Sequence, residues 1–249
     1  MNHFYFDIPG WFGFHDVYDR AIALLGKDGA HFVEVGCWEG RSAAYMGVGI
    51  VNSGFKIRFD CVDTWEGSAE HTDATEKAEL YDKFVDNMAR FESKHDYRVI
   101  RKESTLAACD YADGSLDFVF LDASHDADSV YADVNAWKPK LKPTGVLAGD
   151  DCAFVGVREG LMKAGVGTPD NPVTISGGTY KSWMLVPKRM QDGWKTPVPK
   201  QGNVAAVEGG IEVASETIKG LIPPDAPPGC IAGHEEEFRE RMKSLGRIA

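Results

Sequence analysis

An α/β fold, doubly wound around a mostly parallel sheet, follows from three features of the sequence. Short apolar runs alternate with segments of helical periodicity. The runs are nearly continuously apolar, as strands covered on both faces must be. The last two runs are separated only by "GGTYK" and its flanks, too short for a crossover helix, which predicts an antiparallel C-terminal hairpin.

Taken in order, a helix is expected near 15–25, then a strand at "HFVEV" (31–35) and a helix near 40–51. Strands follow at 57–63, 97–100, 116–121 and 145–149, with helices near 74–93, 126–138 and 155–164 between or after them. "PVTIS" (172–176) and "SWMLVP" (182–187) form the hairpin. After Lys188 the texture becomes rich in Pro and Gly, so residues 1–188 are expected to form the main domain and 189–249 an appendage, a lid or an oligomer arm. Within it, 204–222 reads as a strand or short helix and 234–249 as a charged helix.

The chain has 249 residues and a formal net charge of -11, a poor match to nucleic acid. No run approaches the ~18 apolar residues of a membrane span. The opening "MNHFYFDIPGWFGF" lacks the pattern of a signal peptide. Five cysteines without CxxC spacing argue against a disulfide framework or zinc site and suit the cytoplasm.

"VEVGCWEGRSA" (33–43) reads as strand, glycine turn and helix start, where free N–H groups favour a polar or anionic ligand. Its GxxxG spacing lacks the third glycine of a dinucleotide fingerprint, which weakens a nicotinamide-dependent oxidoreductase. Glu34 lies inside the strand, where an acid is costly unless paired, and suits a ligand bearing positive charge; the alternative is a satisfied structural carboxylate. Asp63 ends the second strand, where an acid commonly accepts from ribose hydroxyls; the alternative is turn capping.

Together "VEVGCWEGRSA", "CVDTWEGS", "LDFVFLDASHDAD" and "LKPTGVLAGDD" resemble a class I S-adenosylmethionine-dependent methyltransferase over residues 30–188. Within that class the chain resembles the metal-dependent small-molecule O-methyltransferases, of the catechol type and of antibiotic-sugar pathways. The resemblance implies a Rossmann-like seven-stranded sheet with its last strand antiparallel. It implies that Glu34, Gly36 and the turn through Gly40 hold the amino-acid part of S-adenosylmethionine, assisted by Ser42. It implies Asp63 on the ribose and Trp65 and Ser104 at the adenine. Trp38 takes a place that is often aromatic, and Asp122 borders the cofactor.

Asp122 ends the fourth strand and Asp150-Asp151 end the fifth. Ligands bind at the carboxyl ends of strands in such sheets, so three carboxylates converge. A hard divalent cation relieves their repulsion, with Mg²⁺ foremost and Mn²⁺ or Ca²⁺ as alternatives. The resemblance places the cation on these same three residues; helix capping is the alternative. His125, three residues beyond Asp122, suits a base that deprotonates a hydroxyl, its unperturbed pKa lying near ~6.5. It could instead be a metal ligand or a helix-start residue. Asp126 and Asp128 suit the helix N-terminus.

The expected activity is metal-assisted O-methylation of a small-molecule hydroxyl, sugar-like or catechol-like, by a protein that engages neither nucleic acid nor membrane and is a candidate homo-oligomer. The alternatives are a metal-independent methyltransferase, an oxidoreductase and a non-catalytic Rossmann-like binding module.

Overall fold

The computed structural model describes residues 1–67, 74–91, 96–169, 171–176 and 181–195. Seven strands form one sheet: β1 (His31–Val35), β2 (Arg58–Asp63), β3 (Tyr97–Arg101), β4 (Leu116–Leu121), β5 (Leu141–Gly149), β6 (Thr174–Ile175) and β7 (Trp183–Leu185). Their spatial order is β3-β2-β1-β4-β5-β7-β6. The first five are mutually parallel, and β7 runs antiparallel between β5 and β6. The α/β, mostly parallel seven-stranded fold with an antiparallel addition is thus the one the sequence predicts.

The helices are α1 (His15–Leu25), α2 (Arg41–Ser53), α3 (Ala74–Met88), α4 (Ser104–Ala108), α5 (Ala127–Trp137), α6 (Val155–Lys163) and α7 (Gln191–Lys195). The sequence reading missed α4, whose five residues show no periodicity; Glu103 caps it by accepting from Thr105 N and Leu106 N.

Alternate residues of each strand enter different cores. Phe32, Phe118, Phe120 and Ala148 face the core containing Val17 and Tyr18 of α1 and Ala43 of α2. Val33, Val119, Leu121 and Leu147 face the core containing Val134 of α5 and Val157 of α6. Each fully buried Phe or Val contributes roughly 1.5–3 kcal/mol, which is why strands covered on both faces carry few polar residues. Asp60, fully buried in β2, is an exception, satisfied by His31 Nε2 at 2.7 Å, Arg98 Nη2 at 2.6 Å and the Tyr111 hydroxyl at 2.8 Å. These bonds hold its carboxyl far below the usual range despite burial.

The packed fold continues past residue 188. Trp194 of α7 is buried in the first core, its Nε1 lies 2.8 Å from Met184 Sδ, and Arg20 of α1 donates to its carbonyl. A domain boundary at 188 therefore falls inside a packed segment. The strand-or-helix at 204–222 and the helix at 234–249 lie outside the described residues. Among the described residues Cys37 and Cys61 are buried free thiols and Cys109 an exposed one.

The strand order reverses between β1 and β4, which are hydrogen-bonded neighbours whose following helices lie on opposite faces. A crevice outside the strand carboxyl ends opens at such a switch point.

Candidate functional site

The chain leaves β1 through Gly36, in left-handed conformation with φ +87°. A Cβ there would sit 2.0 Å from the Asp122 carbonyl oxygen, so this turn touches the end of β4 directly. Gly40, at φ +92°, occupies the N-cap of α2 without a side-chain cap, leaving the first amides of that helix facing the crevice.

Asp63 holds this turn in place. Its Oδ2 accepts from Cys37 N at 2.7 Å and Trp38 N at 3.1 Å, and its Oδ1 accepts from Trp65 N at 2.8 Å. Trp65 Nε1 in turn donates to the Trp38 carbonyl at 2.9 Å. The turns after β1 and β2 are stapled together, and both Trp38 and Trp65 adopt positive φ there, which costs a non-glycine residue about 1–2 kcal/mol. The carboxylate expected on a ribose is here engaged by three backbone amides.

Trp65 does not stand open for an adenine. Its left-handed backbone turns the indole inward, where it is 1 % exposed and packs on Tyr81 and Phe84 with ring centroids 5.2 and 4.6 Å away. Trp38 is the more accessible of the two and lies 6.1 Å from Trp11. Ser104 is also committed to packing: its Oγ accepts from Trp137 Nε1 at 3.0 Å and bonds to Asp133.

Glu34 is buried, and its Oε1 accepts from the Ser42 hydroxyl at 2.5 Å. Burial pushes its pKa up to about 8, with the hydroxyls of Ser42 and Tyr18 pulling it back. A buried carboxylate beside a glycine turn that no Cβ could enter fits the ammonium end of S-adenosylmethionine.

The second half of the site lies at the ends of β4 and β5. Asp122 N donates to the Val35 carbonyl at 2.8 Å, and Asp150 N to the Leu121 carbonyl at 3.2 Å, which extends the ladders and aligns the two strand ends. Asp151 then takes φ +58°. That reversal brings its Oδ2 to 2.9 Å from His125 Nε2. The His125 ring stacks on Phe154 at 4.8 Å and 13°. One ligand atom each from Asp122, His125 and Asp151 fall within 4.8 Å of one another.

Asp150 stands apart from this group. Its Oδ1 accepts from the Ser182 hydroxyl of the β7 edge at 2.7 Å. Among the described residues the group that could hold a cation is therefore two carboxylates with the His125 imidazole beside them, and Asp150 lies outside it. Asp150 still acts through its charge. Burial, then Asp150 and Asp151, raise the Asp122 pKa well above the carboxylate range, and burial with Asp151 pushes Asp150 up to about 7. Excess negative charge of this kind suits a divalent cation.

A small cleft adjoins the cluster, lined by Asp122, Ser124, His125, Asp133, Asp150 and Trp183 among others. Asp133 of α5, which the sequence reading passed over, is buried there, and burial pushes its pKa up to about 6. Mid-helix, it carries no sequence signal separating it from a surface acid. Asp126 caps α5 by accepting from Ser129 N at 3.0 Å, and Asp128 pairs with Lys163 at 2.9 Å, as expected of helix-start acids.

Residues 33–152 match a family model described as a methyltransferase domain. Among solved structures, cofactor-bound Rv0187 from MTB aligns with TM-score 0.51 and 18 % identity, over 70 % of this chain and 79 % of that one. Spermidine synthase in complex with the transition-state analogue AdoDATO aligns with TM-score 0.50 and 8 % identity, over 76 % and 68 %. An S-adenosylmethionine-dependent O-methyltransferase from Thermotoga maritima aligns with TM-score 0.45 and 12 % identity, over 67 % and 62 %. Likeness at this identity speaks for the fold. No match was found among curated proteins.

Proposed function

We propose that this chain, whose residues 33–152 match a methyltransferase-domain model, is a class I enzyme that uses S-adenosylmethionine to methylate a hydroxyl of a small molecule with the help of a divalent cation. The observation that carries this reading is the convergence of Asp122, His125 and Asp151 at the strand ends, next to the Gly36 turn. S-adenosylmethionine, when bound, supplies the electrophilic methyl group. A divalent cation, when held by Asp122 and Asp151, would supply positive charge that lowers the pKa of a nearby hydroxyl. Carboxylate oxygens favour Mg²⁺, Mn²⁺ or Ca²⁺.

The protein residues have separate tasks. Glu34, Ser42 and the Gly36–Gly40 turn bind and orient the cofactor, and the Asp63 staple keeps that turn rigid. Asp122 and Asp151 balance positive charge in the acceptor half. His125 donates its Nε2–H to Asp151 Oδ2 and receives the hydroxyl proton at Nδ1, and the Asp151 carboxylate stabilises the imidazolium that results. The small-molecule acceptor rests on the net charge of -11, which disfavours nucleic acid.

A second reading has its own observation. The His125–Asp151 pair at 2.9 Å is a base-and-orienter arrangement that could work without a cation. Thermal unfolding separates the two. At about 100 times its dissociation constant a cation adds ~2.7 kcal/mol, which is roughly 5–10 °C for a domain of this size. Wild type should gain this in Mn²⁺, Asp122→Asn should not, and turnover on a panel of sugars and catechols should vanish in chelator. Full turnover in excess chelator would leave the metal-free methyltransferase.

A further inference from the structure

Away from the crevice, at the start of β5, the sheet parts. On the β4 side the register holds at Leu116↔Leu141 and resumes only at Phe118↔Val146, so residues 142–145 face Asp117 alone. On the β7 side the last pair is Leu147↔Leu185, after which Val186 and Pro187 lead into the turn at 188–190. A cavity of about 240 Å³ lies in this opening, just below the ~300–1,000 Å³ usual for ligand sites. Leu141, Leu185 and Val186 give it apolar surface, and Lys138, Lys142 and Lys188 give it positive charge, with no acidic residue in the lining. Gln191 of α7 donates through Nε2 to the Val186 carbonyl at 3.3 Å and fixes one wall. Lys142 is already committed, its Nζ lying 2.6 Å from Oδ2 of buried Asp117. Among the described residues Lys138 and Lys188 make no ion pair. Positive charges gathered in one cavity without a counter-charge repel one another, and an anion placed among them removes that cost.

We propose that this cavity is a second ligand site, which takes a small organic anion: its carboxylate or phosphate group meets Lys138 and Lys188, and its apolar body lies against Leu141 and Leu185. Lysine suits either group, since it acts as a point charge. The site is separate from the crevice. The cavity borders the first half of β5, whereas Asp150 and Asp151 follow the other end of that strand. From Gly145 to Asp150 the strand covers roughly 15 Å at ~3.3 Å per residue. What binds here is therefore neither the methyl donor nor its acceptor.

The test is a titration of the isotope-labelled full chain followed by amide NMR, with benzoate and phenyl phosphate as probes and benzyl alcohol as the uncharged control. The anions should shift the amides of Lys142, Gly145, Asn171 and Gln191 saturably and leave those of Gly36, Asp122 and Asp151 in place. Lys138→Gln and Lys188→Gln keep the side-chain stem, and each should weaken binding about three- to fivefold, as for a partly exposed ion pair. Lys56→Gln, an exposed lysine outside the lining, should leave affinity within about twofold of wild type. Raising sodium chloride to about 0.5 M should weaken the anions on wild type, which keeps the test independent of how any variant folds. Binding of only one of the two anions supports the site and fixes which charged group it takes. No saturable shift with either anion overturns the proposal, as do shifts confined to Gly36 and Asp122, which place the anion in the crevice. Benzyl alcohol binding as tightly as benzoate also overturns it, since the cavity is then only apolar. So does equal weakening by Lys56→Gln, which marks an effect of overall charge.

Discussion

Replacing Gly36 by alanine tests whether the contact between the first glycine turn and the end of β4 sets the geometry of the site. The new Cβ would lie 2.0 Å from the Asp122 carbonyl oxygen, 2.5 Å from its carbon and 2.8 Å from Ala123 N. All three are backbone atoms, so no side chain can swing aside. Two costs add. An alanine at φ +87° carries about 1–2 kcal/mol of backbone strain, and overpacking against a fixed neighbour adds about 1–3 kcal/mol. The sum of about 2–5 kcal/mol corresponds to a fall of roughly 5–15 °C in melting temperature. Gly54→Ala isolates the first cost, since Gly54 has φ +75° with nothing within 4 Å of an added Cβ. Differential scanning calorimetry of both variants gives the comparison. Gly36→Ala should melt well below Gly54→Ala and lose the stabilisation by Mn²⁺, because the backbone that must move belongs to Asp122. Equal melting temperatures for the two variants would refute the reasoning.

Three other outcomes follow from the same structure. Glu34 at about 8 and Asp150 at about 7 bind protons more tightly folded than unfolded, so in chelator stability is greatest at low pH and declines as pH rises from about 4 to 8; denaturant unfolding at pH 5.5 and 8.5 should show this fall, and Glu34→Gln should reduce it. Trp194→Ala should cost about 3–5 kcal/mol, measured by urea unfolding, and a loss under 1 kcal/mol would separate residues 189–195 from the core. His125→Ala should lower kcat by roughly 10²–10⁴-fold at neutral pH, recovering in part at higher pH as the acceptor hydroxyl ionises unaided; full activity at neutral pH would assign the base elsewhere.

The sequence disclosed what depends on strand-end position and concealed what depends on side-chain direction. Asp122, Asp150 and Asp151 could be located because apolar runs end just before them. Which of the last two turns toward His125 was not legible: past the final ladder pair the alternation rule lapses, and the left-handed backbone of Asp151 decides. The same lapse misdirects Trp65, whose positive φ sends the indole into the core. Ser104 looked like a ligand contact because it follows a strand, yet Trp137 and Asp133, some thirty residues on, claim its hydroxyl through helix packing. Trp194 was masked by the composition around it.

The two outer strands of the sheet have a bearing on how the molecule behaves among its own copies. A long bare strand margin, with its row of unused amides and carbonyls, invites another chain to add itself on. Neither margin offers that. On one side β6 has only two residues, Thr174 and Ile175, too few to nucleate a ladder. On the other, β3 carries the exposed Arg98 and Arg101, the first tied to buried Asp60 and the second lying 4.6 Å over the Tyr81 ring. A second chain docking on that margin would have to bring its backbone alongside two fixed cations. Among the described residues the sheet is therefore guarded at both ends against the addition of a further strand.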